Sequence, residues 1–250
     1  MSIVGRYHRE IKAILARVYT ERPAIDAAAE LMTEAILENR LIYVGHGGAH
    51  STMGLEELFY RAGGLACMSP MFDEAVCLLN GAIRATKIER APGYGRTVVS
   101  NHGVGPGDVV IITTSVGITS MAVDEALAVK ELGAKLIAIT STAFAEHTPA
   151  GHVARHPSNE NLHELADVFI NCHVPYGDAV LSLPGFRHSV GPSSTAALSF
   201  AGNALVIRTV EMLTERGIDP PVWRSSNTPG GDEANKHLIE EYGPRVKHLL

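Results

Sequence analysis

The chain has no excess of basic residues: 21 Lys and Arg face 27 Asp and Glu in 250 residues, giving a formal net charge of −6 and a pI near 6.0. A protein that grips nucleic acid regardless of sequence needs a basic footprint to neutralise phosphates, so no nucleic-acid partner is expected. Cysteine is scarce as well. Cys67, Cys77 and Cys172 are widely spaced, odd in number and form no CxxC pair, which excludes a zinc ribbon and a disulfide framework. Cys67 and Cys172 lie in apolar runs and read as small core residues. No GxGxxG follows the first strand-like run and no GxxxxGK[ST] occurs, so neither a dinucleotide nor a P-loop nucleotide is expected. Met1-Ser2-Ile3-Val4-Gly5-Arg6 leads into charged, amphipathic sequence rather than an apolar signal core, and no segment is expected to reach bilayer-spanning length. A cytoplasmic protein with no membrane partner follows as the expectation.

What is present is core material. Hydrophobic residues make up 46% of the chain and charged residues 19%, and the length suits a single large α/β domain over residues 1–250. Residues 1–38 read as a helical pair. Ile11, Ile14, Leu15 and Val18 form one stripe within Tyr7–Thr20, and Ile25, Ala28, Leu31, Met32 and Ile36 another within Ala24–Glu38, with Pro23 at a helix start. Residues 39–192 read as the sheet core. Short apolar runs at Leu41–Val44, Val109–Thr113, Leu136–Thr140 and Val168–Ile170, with a weaker one at Leu65–Met68, suit buried parallel strands. Helical patterns at Thr52–Arg61 and at Ser120–Leu132, the latter stopped by Gly133, alternate with them. This rhythm predicts a parallel sheet covered on both faces. Residues 193–250 return to helix at Thr195–Glu215 and Asp232–Leu249. The stretch from Phe144 to Asn161 has no clear period and reads as a long excursion near the site.

Open parallel sheets bind ligands beyond the carboxyl ends of their strands, so the residues after each apolar run deserve inspection. The first run ends in Gly45-His46-Gly47-Gly48-Ala49-His50-Ser51, where glycines admit a close ligand approach and a helix starting near Ser51 aims its positive end at an anion. The run ending at Thr113 leads into Thr114-Ser115-Val116-Gly117-Ile118-Thr119-Ser120, and the next into Ser141-Thr142. Each turn taken alone reads better as an ordinary N-cap and tight turn. Three on one predicted rim point to a polyol that carries an anionic group.

These residues resemble the SIS (sugar isomerase) domain family, and most closely a bacterial branch related to phosphoheptose isomerases and amino-sugar-phosphate dehydratases. The resemblance covers most of the chain. It rests on His50-Ser51, Tyr60-Arg61-Ala62-Gly63-Gly64, Glu89-Arg90 before Gly93, Pro106-Gly107-Asp108-Val109 and Ala134–Ser141. It continues through Gly191–Thr195 and Ser226-Asn227 to Gly230-Gly231, Glu233 and Asn235. The resemblance implies a flavodoxin-like three-layer sandwich with a five-stranded parallel sheet, and a homodimer or homotetramer with sugar sites at subunit interfaces. Two departures stand out. The family's Gly-x-Gly-His-Ser turn is one residue longer here, with Ala49 before His50, and its Ser-x-Ser-Gly loop reads Thr114-Ser115-Val116-Gly117. The anionic group is therefore left open among phosphate, sulfonate and carboxylate, with a neutral polyol also admitted.

Isomerisation and β-elimination of sugars both start by removing a proton beside a carbonyl, which needs a base tuned toward neutral pH and a donor to steady the enediolate. Glu89 is the first candidate base, Glu57 the second, and His50 a proton shuttle; a surface ion pair for Glu89 and a solvated helix face for Glu57 are the plain alternatives. Gly47, Gly48, Ser51, Thr114, Ser115, Thr119, Ser120 and Asp178 are candidate substrate contacts. Asn227 and Glu233 are candidates from a tail that, in the family, often reaches a neighbouring subunit's site. No metal or other cofactor is expected, since His152, His156 and His163 have no recognised ligand spacing. The function expected is an aldose–ketose isomerase acting on a sugar derivative through an enediol. The alternatives are an amino-sugar-phosphate dehydratase or lyase and a non-catalytic sugar-sensing protein.

Overall fold

Ser2 opens the first helix by accepting the Gly5 N–H at 3.1 Å in a computed structural model describing residues 1–250. Helices α1 (Ile3–Tyr19) and α2 (Arg22–Leu37) follow, the second entered through Pro23, whose missing N–H costs nothing in a first turn. The chain then alternates: β1 (Ile42–Gly45), α3 (Thr52–Leu58), β2 (Met68–Pro70), α4 (Ala82–Glu89), α5 (Tyr94–Ser100), β3 (Val109–Thr113), α6 (Ser120–Glu131) and β4 (Lys135–Thr140). After short α7 (Ala143–His147) and α8 (Leu162–Leu165) come β5 (Val168–Asn171), a hairpin of β6 (Ala179–Leu181) with β7 (Val190–Pro192), and the helices α9 (Ser194–Glu215) and α10 (Gly231–Tyr242).

Strands β1 to β5 form one parallel sheet in the order β2-β1-β3-β4-β5. Helices α2 and α9, backed by α1, cover one face, while α6, flanked by α5 and α8, covers the other. This is the expected three-layer sandwich. Val109 to Thr113 are all buried, which is why the strand reads as an unbroken apolar run rather than an alternating one. One buried cluster joins Ile14 of α1, the strands, Leu205 of α9 and Val246 near the C-terminus, so the three sequence regions share one core. Cys67 and Cys172 are buried free thiols in it.

Several boundaries differ from the sequence reading. Helix α3 stops at Leu58 instead of Arg61, because Phe59 is extended and Tyr60 takes a φ of 46°. Helix α10 stops at Tyr242 instead of Leu249, where Gly243-Pro244 breaks it. The weak strand at residues 65–68 is displaced to Met68–Pro70. Helices α4 and α5 were not anticipated. Both are short and start after glycines with positive φ, Gly81 and Gly93, so neither offers a side-chain N-cap. The expectation about bilayer length is also corrected. At 22 residues, α9 is long and apolar enough to span a membrane by length and composition alone, and it is half buried as a core helix.

Two stretches of the family resemblance, Arg61–Gly64 and the Gly230–Asn235 tail, are joined through the Pro221–Arg224 segment. Gly63–Ala66 exchanges backbone hydrogen bonds with Pro221–Trp223 beside β2, and Leu65 bridges Val222. Asn235 then fastens that segment to α10: its amide accepts the Arg224 N–H at 2.9 Å and donates to the Arg224 carbonyl at 2.7 Å. Asn235→Ala leaves both groups partly buried without partners. It is expected to lower stability by about 1–3 kcal/mol, read as a lower urea midpoint at unchanged m-value.

Candidate functional site

In the order β2-β1-β3-β4-β5 the chain leaves β1 toward β2 and returns to the other side at β3, so a crevice opens beyond the ends of β1 and β3. A cavity of about 500 Å³ lies there. One wall is the glycine turn. Gly47 is held at both ends by α6 and its cap: Thr119 Oγ1 donates to the Gly47 carbonyl at 2.8 Å, and the Gly47 N–H donates to Glu125 Oε2 at 3.1 Å. Gly47 has a φ of 59°, and a Cβ there would stand 2.9 Å from both Ala122 and Thr114. The same Thr119 hydroxyl caps α6 by accepting the Ala122 N–H at 3.3 Å.

Glu89, the last residue of α4, reaches the turn from the opposite side. Its carboxylate accepts the Ala49 N–H at 2.9 Å, and a Cβ on Gly48 would meet the same oxygen at 2.5 Å. Gly48 has a φ of 147°, so a residue without a side chain suits it on both counts. Burial pushes the Glu89 carboxyl above its ordinary range, against the Ala49 hydrogen bond and the charge of Arg90, which pull it down. A carboxylate so raised is a better proton acceptor near neutrality. Ala49, the extra residue of the longer turn, is thus the one whose N–H meets the candidate base.

His50 and Ser51 follow on a short 3-10 turn and line the cavity, with Ser51 Oγ 3.0 Å from Thr114 Oγ1. Thr114, Ser115, Val116 and Thr119 line it from the β3–α6 loop, and Arg90 lies beside Glu89. The irregular excursion does border the site, through Phe144, Thr148, His152 and Ala154. Arg155 ties that excursion together, donating to the carbonyls of Thr148, Asn159 and Ala145 and to Asn161 Oδ1. Asp178 also lines the cavity, but its carboxylate is already engaged. It accepts from the N–H and hydroxyl of both Ser193 and Ser194 at 2.7–3.1 Å, capping α9.

The cavity therefore brings together Gly47, His50, Ser51, Glu89, Thr114, Ser115, Thr119 and Asp178, with Gly48 directly behind Glu89. Other candidates lie elsewhere in this chain. Glu57 accepts from Asn203 of α9 at 3.0 Å and pairs at 3.4 Å with Arg61, which lies past the end of α3. Ser120, 1% exposed, sits inside the first turn of α6. Asn227 is on the exposed loop before α10, and exposed Glu233 pairs with Lys236 at 2.6 Å. His156 turns toward Asp124 at 3.4 Å, His163 packs on Phe169, and no three His, Cys, Asp or Glu side chains converge as metal ligands.

Sequence reasoning passed over Glu125 and His46. Glu125 is fully buried, and burial first, then the charges of Asp124 and Asp73, push its carboxyl up to about 8 against the pull of the Gly47 N–H. Its Oε1 has no partner. His46 is buried too, with Nδ1 2.9 Å from the Gly48 carbonyl and an unpartnered Nε2; burial lowers its pKa, so the ring is neutral. The acidic pair Asp124-Glu125 inside the otherwise apolar stretch Met121–Val129 was the one available signal for Glu125.

The chain is thus an α/β protein with an open parallel sheet and a hydroxyl- and glycine-lined crevice at its switch point. The family model of the SIS domain matches residues 6–141, and the chain belongs to that family. It is 33% identical over 249 residues to a UPF0309 protein of Geobacillus kaustophilus, covering 99% of this chain and 97% of the relative. It is 34% identical over 248 residues to a UPF0309 protein of Brucella canis, covering 99% of each. Among solved structures, a phosphoheptose isomerase from Francisella tularensis superposes with a TM-score of 0.46 at 13% identity, covering 86% of this chain and all of that one. The sugar isomerase domain of an RpiR transcription factor from Sphaerobacter thermophilus gives 0.44 at 16% identity, covering 87% and 99%.

Glu125 makes the site's scaffold sensitive to pH. A carboxyl at about 8 in the folded chain against 4.5 as its ordinary value favours folding most fully below 4.5, and that contribution is lost as pH rises to about 8. Glu125→Gln cannot titrate, so it removes a slope of up to about 1.4 kcal/mol per pH unit across that window. Denaturation at pH 5 and pH 8.5 is expected to show the variant gaining on the parent protein as pH rises.

Proposed function

We propose that the protein is a sugar-derivative isomerase that interconverts an aldose and a ketose, with Glu89 as the base. The observation that carries the proposal is the Glu89 carboxylate, raised by burial, at the cavity wall 2.9 Å from the Ala49 N–H. Membership of the SIS family adds support for a sugar derivative as the ligand. In this reading Glu89 removes the proton from carbon 2 and the carbonyl oxygen takes up the electron pair, stabilised by a proton shuttled through His50. The resulting enediol gives up its O2 proton to His50 as Glu89 returns a proton to carbon 1, which leaves the ketose. Ser51, Ser115 and Thr119 present hydroxyls to the polyol, and Arg90 offers a positive charge to an anionic substituent.

The proposal includes a homodimer or homotetramer with sites at subunit interfaces. Asn227 and Glu233, outside their own chain's cavity, would then serve a neighbour's. Light scattering that shows a monomer at working concentration removes this part.

Incubation with aldose and ketose phosphates and sugar acids in deuterated water tests the chemistry. Deuterium at carbon 2 with an aldose–ketose mixture supports isomerisation. Loss of water instead makes the protein a dehydratase, and sugar binding without either makes it a sensor. Glu89→Gln is expected to abolish exchange while retaining binding. Gly48→Ala, which crowds Glu89 out of the turn, is expected to lower the rate about 100-fold. Because Glu89 must be ionised, activity rises with pH through its raised pKa. Arg90→Met, which removes the charge that holds this pKa down, is expected to shift the acidic limb to higher pH.

A further inference from the structure

The cavity has two chemically different ends. Glu89, His50, Ser51, Thr114 and Ser115 sit beyond β1 and β3. Phe144 follows β4 and Tyr176 follows β5, so the aromatic end stands one to two strand spacings from the β3 loop and two to three, about 10–14 Å, from the turn after β1. The rings of Phe144 and Tyr176 are tilted against each other at 5.3 Å, and His147 stacks on Tyr176 at 5.3 Å and 24°. Tyr176 nevertheless keeps 52% of its surface exposed.

This aromatic wall is held in place by its own fastenings. Ser141 Oγ donates to the Val174 carbonyl at 2.6 Å and accepts the Ala143 N–H at 3.2 Å, which sets the β4 loop against the β5 loop. His147 Nδ1 lies 2.8 Å from the Ala143 carbonyl. On the far side of Tyr176, Asp178 is locked to the start of α9 by its bonds to Ser193 and Ser194, so its charge is spent on the cap. The remaining neighbours at this end are Thr148, Ala154, Gly177 and Leu198, with His152 and the hydroxyl residues Ser194 and Thr195 beside them. No Lys or Arg lines this end, and rigid aromatic faces beside small apolar residues match a compact neutral group.

We propose that Phe144 and Tyr176 form a subsite for a neutral, apolar substituent of the sugar, such as an N-acyl group, carried away from the reacting carbon. The inference rests on the sugar reading of the same cavity. It makes the substrate an acylated or alkylated sugar derivative whose reacting carbonyl lies at Glu89, and it assigns Tyr176 to specificity rather than to proton transfer.

Calorimetry with N-acetylglucosamine, glucosamine and glucose, each with and without a 6-phosphate, provides the test. The acylated sugar is expected to bind about tenfold or more tightly than either counterpart. Tyr176→Ala, or Phe144→Ala should the former fail to fold by circular dichroism, is expected to bring that preference close to unity, and Tyr176→Phe to keep it. Equal binding of all three sugars, or a preference that survives in folded Tyr176→Ala, overturns the subsite and leaves the Glu89 reading standing. Binding of no sugar, phosphorylated or not, together with no isotope exchange, overturns the sugar reading and the subsite with it.

Discussion

The site depends on one tethered stretch of backbone, Gly47 to Ala49. Three hydrogen bonds tie it to distant elements, two on the α6 side through Thr119 and Glu125 and one to Glu89 of α4. The turn thereby couples the end of β1 to elements that lie 40 and 78 residues further along the chain. Glycine at 47 and 48 makes the tethering possible. At each position a side chain would occupy the space of a neighbouring group, Thr114 and Ala122 in one case and the Glu89 carboxylate in the other.

Two glutamates meet this turn, and their surroundings separate them. Both have carboxyls raised by burial and both accept a backbone N–H from the turn. Glu125 is enclosed, with Asp124 and Asp73 adding like charge, and is protonated at neutral pH. Glu89 borders the cavity beside Arg90, whose charge favours the ionised form. The same residue type thus serves as scaffold in one place and candidate base in the other, decided by enclosure and by the sign of the nearest charge.

The motifs that carry the family resemblance divide in an unexpected way. His50-Ser51 and Glu89-Arg90 reach the cavity. Arg61–Gly64 and the Gly230–Asn235 tail are the more distinctive in sequence, yet in this chain they lock the C-terminal segment onto the sheet edge. Gly231 fits because a Cβ would collide with the Ser225 carbonyl, and Asn235 because its planar amide satisfies both backbone groups of Arg224. Asp178 shows the same diversion: it lies in the cavity wall, but its carboxylate occupies the start of α9.

The sequence by itself determined the layer architecture, the four stronger strands and the rim on which the site lies. Those follow from local periodicity: buried parallel strands read as short apolar runs, and their carboxyl ends can be located without knowing what they face. It also singled out Glu89, through the family resemblance. Only the tertiary structure decided that Glu89 meets Ala49, that Glu57 turns to Asn203 and that Glu125 is sealed beneath the turn. Helices α4 and α5 were illegible because they are short and begin at glycines, without a capping side chain to announce them. The physical reason is common to all of these. A carboxylate's role is set by its exposure and by the charges and N–H groups around it, and those neighbours come from distant parts of the chain.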